Sequence, residues 1–209
     1  FAEAAAMIAH GDPRLFEIIA LSVRVSLTSV TLSALLALPA GAALAVADFP
    51  GRRAAIVVLN ALLGLPAVVV GLAVYLLLSR AGPLGVFGIL FTPAAMVVAQ
   101  AILVFPLLAA LTRQLVADAW SESREQLQSL GAGTGASALA LLCDLRFTLV
   151  TVVLAGFGRA IAEVGAVRIV GGNIDRVTRT MTTAIALETS KGDLPLALAL
   201  GIVLMSLVL

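Results

Sequence analysis

Long apolar blocks separated by short polar breaks run along this chain. Residues 25–47 carry no charge, and the block reaches back past Arg24 to about Ile18. Asp48-Phe-Pro-Gly-Arg-Arg53 closes it with a Pro-Gly turn and two cations. Residues 54–79 form the next uncharged run, ended by Arg80 and Gly82-Pro83. In the uncharged stretch 81–112, the Gly/Pro-rich first part reads as a connection and residues 93–115 as a third block. Residues 113–146 are the longest polar stretch. A fourth block, 147–170, contains Arg159, Glu163 and Arg168; 171–193 reads as a second polar connection, and 194–209 as a fifth block. A membrane-crossing helix needs about 20 mostly apolar residues. Continuous blocks of this kind fit helices, whereas a barrel shows alternating strands of about ten residues. The pattern predicts an all-α, polytopic membrane helix bundle with about five transmembrane helices in one domain, 1–209. Residues 1–14 are expected to form a short surface helix running into the Gly11-Asp12-Pro13 turn.

Composition supports the same class. Of 209 residues, 61% are hydrophobic and 12% charged, with mean hydropathy +1.14. Soluble domains are about 45–50% apolar and about 25% charged, so a water-soluble globule and a disordered chain are both excluded. A formal charge of +1 without a basic stripe argues against a nucleic-acid partner. Cys143 has no second cysteine to pair with, and His10 is the sole histidine, so no metal site is expected. The N-terminus lacks a basic leader and carries Glu3, His10 and Asp12, unlike a signal peptide. With Phe1 first and Leu209 inside an apolar run, both ends are expected to be trimmed. An outside N-terminus places Arg52, Arg53, Arg113, Arg124 and Arg146 inside, and Arg14, Arg80, Arg176, Arg179 and Lys191 outside. That count is a tie; the compact Arg52-Arg53 pair beside a span end favours N-terminus out, C-terminus in.

Within 113–146, residues 118–130 have helical spacing. Trp120, Leu127 and Leu130 share a face, and Ser121 or Ser123 is placed to cap the segment. Gly131-Ala-Gly-Thr-Gly135 then forces a bend. An amphipathic helix, a glycine turn and a further helix make a protruding element suited to a groove on another protein. The glycines are no phosphate loop, because no strand precedes them and no Lys-Ser/Thr follows.

Glu125-Gln-Leu-Gln-Ser-Leu-Gly131-Ala132 resembles the EAA loop of ABC importer permeases. Gln126 and Leu127 stand where that family has two alanines, and Asp144 stands near its usual proline. A second segment, 158–174, resembles the oxyanion-importing permeases for sulfate, molybdate and tungstate. The continuation Thr178-Arg-Thr-Met-Thr-Thr-Ala-Ile-Ala-Leu-Glu-Thr-Ser-Lys-Gly-Asp193 is most similar to the tungstate members. The resemblance implies a type I ABC importer permease fold with 118–146 as its cytoplasmic coupling loop. Trp120, Glu125, Leu127, Leu130, Gly131 and Ala132 would then engage a cytoplasmic ABC ATPase. It also implies an extracellular or periplasmic oxyanion-binding protein, a second permease copy in a homodimer, surrounding lipid, and a bacterial or archaeal cytoplasmic (inner) membrane. The chain would bind no cofactor and be no enzyme; ATP and Mg would be used by the partner ATPase. Tungstate is the expected substrate, with molybdate or sulfate as alternatives.

Glu163 lies in an apolar block, where an ionisable group is costly and a functional candidate. Arg159, four residues earlier, offers a purely structural partner. Arg168 either snorkels or attracts an oxyanion. Gly165, Gly171 and Gly172 suit close helix packing or a path wall. Gly171-Gly172-Asn173 can break a helix and expose amides. Thr178, Thr180, Thr182 and Thr183 are either anion donors or ordinary caps around Asp175. The candidate translocation path is therefore Glu163, Gly165, Gly171, Gly172, Asn173, Thr180 and Thr182. Pro66 and Pro106 are expected to kink the second and third spans. A secondary transporter would show matched repeats, which are absent here. An intramembrane enzyme would need a nucleophile–base pair or a metal site, so no catalytic residue is expected. A plain scaffold leaves the protruding loop without a role.

Overall fold

The computed structural model describes residues 12–209, which form nine α-helices and one 3₁₀ turn, with no strand among the described residues. The expected surface helix falls almost wholly outside them. At its end, Asp12 Oδ1 accepts the Arg14 amide at 2.8 Å, and α1 (Pro13–Val46) opens on a proline, whose missing N–H is harmless in the first turn.

Two helices are each long and apolar enough to cross a membrane: α1 and α4 (Pro93–Ser129). The second block is broken. α2 (Arg52–Leu62) and α3 (Ala67–Leu78) meet at 101°. Pro66 stands immediately before α3 in extended backbone, and the amides of Leu63, Gly64 and Leu65 close tight turns onto Asn60, Ala61 and Leu62. The expected kink at Pro66 is thus a right-angle break, because proline has no N–H to carry the helix through. Pro106 lies inside α4. A second bent pair, α5 (Thr134–Asp144) and α6 (Arg146–Ile161), meets at 78°. If each bent pair is one span, up to four crossings are present by length and composition, and α9 (Leu194–Val208) is a shorter apolar helix.

Three expectations need correction. The segment 118–130 is not a separate capped helix but the end of α4, which runs unbroken for 37 residues. Between Pro106 and the end of α4 there is no glycine or second proline, and the Ser121 hydroxyl donates back to the Asp118 carbonyl at 2.7 Å instead of capping. The fourth block does not continue to residue 170: helix stops after Ile161 and restarts as α7 (Gly165–Gly171). The connection 171–193 contains a helix, α8 (Met181–Lys191), started by a Thr180/Thr183 capping box and ended by Gly192 in left-handed backbone.

The residues gather into two compact units. One comprises the described residues up to Ser29 with Pro66–Gln100 and Gly158–Leu209; the other comprises Val30–Leu65 and Ala101–Phe157. In the first, α3 packs along α7 and α8 along α9. Gly71 brings α3 onto the Ala166 backbone, 2.7 Å separating the Ala166 Cα from the place a Cβ would occupy. Two of its buried polar side chains are paired inside. The Ser22 hydroxyl accepts the Met181 amide at 2.7 Å, and Gln100 donates to the Ala160 carbonyl at 2.9 Å. In the second unit, Ala42, Ala45, Val46, Val116 and Leu141 form a buried cluster. Arg52 closes the end of α1: its Nε and Nη2 donate to the Leu44 and Ala45 carbonyls at 2.8 and 2.9 Å. Those carbonyls would otherwise lack helical partners.

Candidate functional site

The element at 118–146 is a helical hairpin. Trp120 and Leu127 face inward, packing with Ala138, Leu142 and Leu145 against the buried cluster. Arg124 lies over the Trp120 ring at 5.9 Å. The turn closes as a Schellman motif: Gly131 has φ +75°, its amide donates to Gln128 and the Ala132 amide donates to Leu127, each at 3.0 Å. Leu130 is left 81% exposed, and Glu125 and Gly131 are exposed as well. The structure therefore splits the expected face. Trp120 and Leu127 fasten the hairpin, while Leu130 is presented outward. Sequence reasoning missed the other arm. On α5, Ser137 and Leu141 are buried while Ala136, Leu139 and Ala140 are exposed, a small apolar face readable from three- and four-residue spacing.

The candidate path segment centres on the break between α6 and α7. Arg159 Nη1 and Glu163 Oε2 form an ion pair at 2.6 Å, with the Glu163 side chain 5% and that of Arg159 42% exposed. The Glu163 carboxylate also accepts the Ala166 amide at 3.3 Å, supporting the restart of helix at Gly165. The Glu163 carbonyl accepts the Thr182 hydroxyl at 2.8 Å. Side chains thus take up backbone groups that the broken helix frees, as backbone at membrane depth requires. Gly171 is buried against Met96 and Thr178, and Gly172, at φ +70°, lies against the Phe91 ring. Asn173 follows at φ +51°, its buried Oδ1 without a hydrogen-bond partner. The threonines serve the turn and cap: Thr178 donates to the Gly171 carbonyl at 2.5 Å and accepts the Ile174 amide at 2.9 Å. Thr180 and Thr183 cap α8. All four threonines are buried.

One polar cleft of about 620 Å³ lies in the same unit. Arg14, Arg24, Arg176, Arg179 and Lys191 line it, four of them among the cations expected on the outer side. Glu17, Asp175, Glu188 and Asp193 also line it. Arg179 pairs with Asp175 at 2.8 Å and Lys191 with Glu188 at 3.1 Å. Arg14, Arg24 and Arg176 have no carboxylate within ion-pair distance among the described residues. The sequence placed these cations outside but gave no sign that Arg24, a residue of the first span, would join them.

Apolar helices long enough to cross a membrane, broken at turns whose backbone groups are taken up by side chains, together with a helical hairpin, fit a membrane-spanning protein. No protein-family model matches the chain. It is 43% identical to the tungstate uptake system permease protein TupB of Peptoclostridium acidaminophilum, over 98% of this chain and 90% of that protein. It is also 43% identical to a probable anion ABC transporter permease protein of Haloferax volcanii, over 97% of this chain and 91% of the relative. A sulfate transport system permease protein, CysW of Synechococcus elongatus, is 29% identical over 82% of this chain and 62% of its own length. The chain belongs to the oxyanion permease family of ABC transporters. It is a transport subunit and not an enzyme, and an ABC uptake system supplies ATPase and substrate-binding partners to such a subunit.

Proposed function

We propose that this chain carries tungstate across a bacterial or archaeal cytoplasmic membrane as a homodimer, with its N-terminus outside and its C-terminus inside. Partner ATPase subunits hydrolyse ATP with Mg, and an extracellular or periplasmic binding protein delivers the anion. The observation that carries the mechanism is the hairpin at α4–α5: an apolar surface exposed at Leu130 in the turn and Leu139 on α5, backed by half-buried Trp120 and Leu127 packed against the buried cluster. Glu125, Leu130, Gly131 and Ala132 meet the ATPase cleft, and Trp120 and Leu127 pass its movement into the spans. Glu163, Gly165, Gly171, Gly172, Asn173, Thr180 and Thr182 flank the path. The Arg159 pair keeps a bare carboxylate away from an anion, and the glycines leave room between helices. The relative from Peptoclostridium acidaminophilum, whose name carries tungstate uptake, supports the substrate.

Capture of the ATPase by the detergent-solubilised chain tests the coupling. Leu130→Asp and Leu139→Asp should insert and fold normally, since both side chains are exposed, yet lose capture. Full capture by both variants refutes the assignment. ATP-driven tungstate accumulation in vesicles holding all partners, compared with molybdate and sulfate, tests the substrate.

A further inference from the structure

We propose that the turn between α3 and α4 is a membrane anchor, inserting Leu84, Val86 and Phe87 into the lipid headgroup–acyl boundary. The inference begins with composition. Arg80 is the only charged residue between Arg53 and Arg113, so this connection has none of the polarity expected of an aqueous loop. Yet its apolar side chains are not folded in. Val86 is 97% and Phe87 68% exposed, and Leu84 is exposed beside them.

The turn is held in one shape. After Leu78 the chain doubles back along the helix it has just left. The Gly82 amide donates to the Ser79 carbonyl at 2.8 Å, and the Leu84 amide to the Leu77 carbonyl at 2.9 Å. Gly82 presses on the Leu76 and Leu77 carbonyls and Gly85 on Ser79 and Arg80, so closely that no side chain fits at either place. Residues 82–85 therefore sit at the height of the last turn of an apolar helix and do not reach beyond it. The far end is fixed as well. The Phe91 amide donates to the Val170 carbonyl at 3.0 Å, and the Phe91 ring meets Tyr75 edge-on at 6.1 Å.

The occupant follows from continuity. Val68, Val69, Leu72, Leu76 and Leu77 on α3 are exposed apolar residues, as a helix against acyl chains requires. The turn extends that surface to the level where acyl chains give way to headgroups. Arg80, exposed at the end of α3, stands where a guanidinium meets lipid phosphate. Apolar side chains on an interfacial element bury about 5–10 Å into this boundary.

A tryptophan in the tip tests the anchor. Val86 touches almost nothing, so Val86→Trp leaves the packing intact; Trp120→Phe removes the only native tryptophan. The purified chain is placed in phosphatidylcholine–phosphatidylglycerol vesicles containing lipid brominated close to the headgroup end of its acyl chains. The expected result is blue-shifted emission that loses most of its intensity to bromolipid and little to iodide. Loss to iodide alone would place the tip in water and overturn the proposal. Insensitivity to both quenchers would place it against protein, a second copy included, and overturn it equally. If Trp120→Phe unfolds the chain, the same reading is taken by difference with Trp120 retained.

Discussion

Replacing Gly71 by Ala tests whether α3 and α7 are locked by backbone contact. A methyl group at Gly71 would stand 2.7 Å from the Ala166 Cα, 3.2 Å from its carbonyl oxygen and 3.3 Å from its Cβ. Non-bonded carbons settle at about 3.5–4.0 Å, so the helices must part by about 0.8 Å or more. The obstacle is backbone, and no side-chain rotation relieves it. Overpacking of this kind costs about 1–3 kcal/mol, while Ala in place of a helical Gly returns up to about 1 kcal/mol. With the full return the net loss is about 0–2 kcal/mol, which lowers the thermal midpoint by up to roughly 8 °C for a chain of this size, while the gap to a variant without the clash stays at about 1–3 kcal/mol. Gly201 is the control: it lies within α9, and a Cβ there meets nothing within 4 Å. Gly201→Ala gains the same propensity without the clash, so its midpoint holds or rises. The assay is the fraction of detergent-solubilised protein that stays monodisperse after heating. Matching midpoints for the two variants would refute the backbone-contact argument.

Two further substitutions probe the polar fastenings. Arg159→Met leaves the Glu163 carboxylate, 5% exposed, without its counter-charge. Breaking a buried pair costs about 3–5 kcal/mol, and the partial exposure of Arg159 puts the loss toward the low end. Glu163→Gln in that background should recover most of the midpoint, and an unrecovered double variant would disprove the pairing. Arg52→Met removes two bonds to the end of α1, each worth about 1.5–3 kcal/mol at a charged donor. Proteolysis near residues 47–51 should accelerate, with Arg52→Lys restoring only part, since an ammonium lacks the guanidinium fork; unchanged cleavage would count against the cap.

The apolar blocks were legible because burial in lipid demands uninterrupted hydrophobic sequence. α4 starts at Pro93, where the third block begins, whereas α1 starts at Pro13, before the earliest start at Ile18 that the first block offered. The breaks were harder to see. Pro66 marked a disturbance, but a proline inside an apolar run permits a kink, as Pro106 in α4 permits, or a full break. Which occurs depends on whether nearby groups accept the freed backbone, a tertiary matter. The same holds at residues 162–164, where Thr182, 19 residues away in sequence, takes up the Glu163 carbonyl. The Arg159–Glu163 pair was legible from its four-residue spacing. The burial of Thr178, Thr180, Thr182 and Thr183 was not, because hydroxyls that cap a buried turn look in sequence like hydroxyls that face water. The hairpin tip was half legible: helical spacing put Trp120, Leu127 and Leu130 on one face, but only the Schellman turn separates Leu130 from the other two.

The uninterrupted length of α4 makes it a lever. From Pro106 to Ser129 the helix is about 35 Å long at 1.5 Å per residue, with no glycine or second proline to bend it. Pro106 lacks the N–H that would bond the Ile102 carbonyl and is the softest joint along the rod. A bend of about 10° there carries Ser129 through about 6 Å, roughly one helical turn. Angular play at a single residue within the apolar part thus becomes a displacement at the hairpin tip as large as a side chain, and a push on the tip returns to Pro106 multiplied as torque.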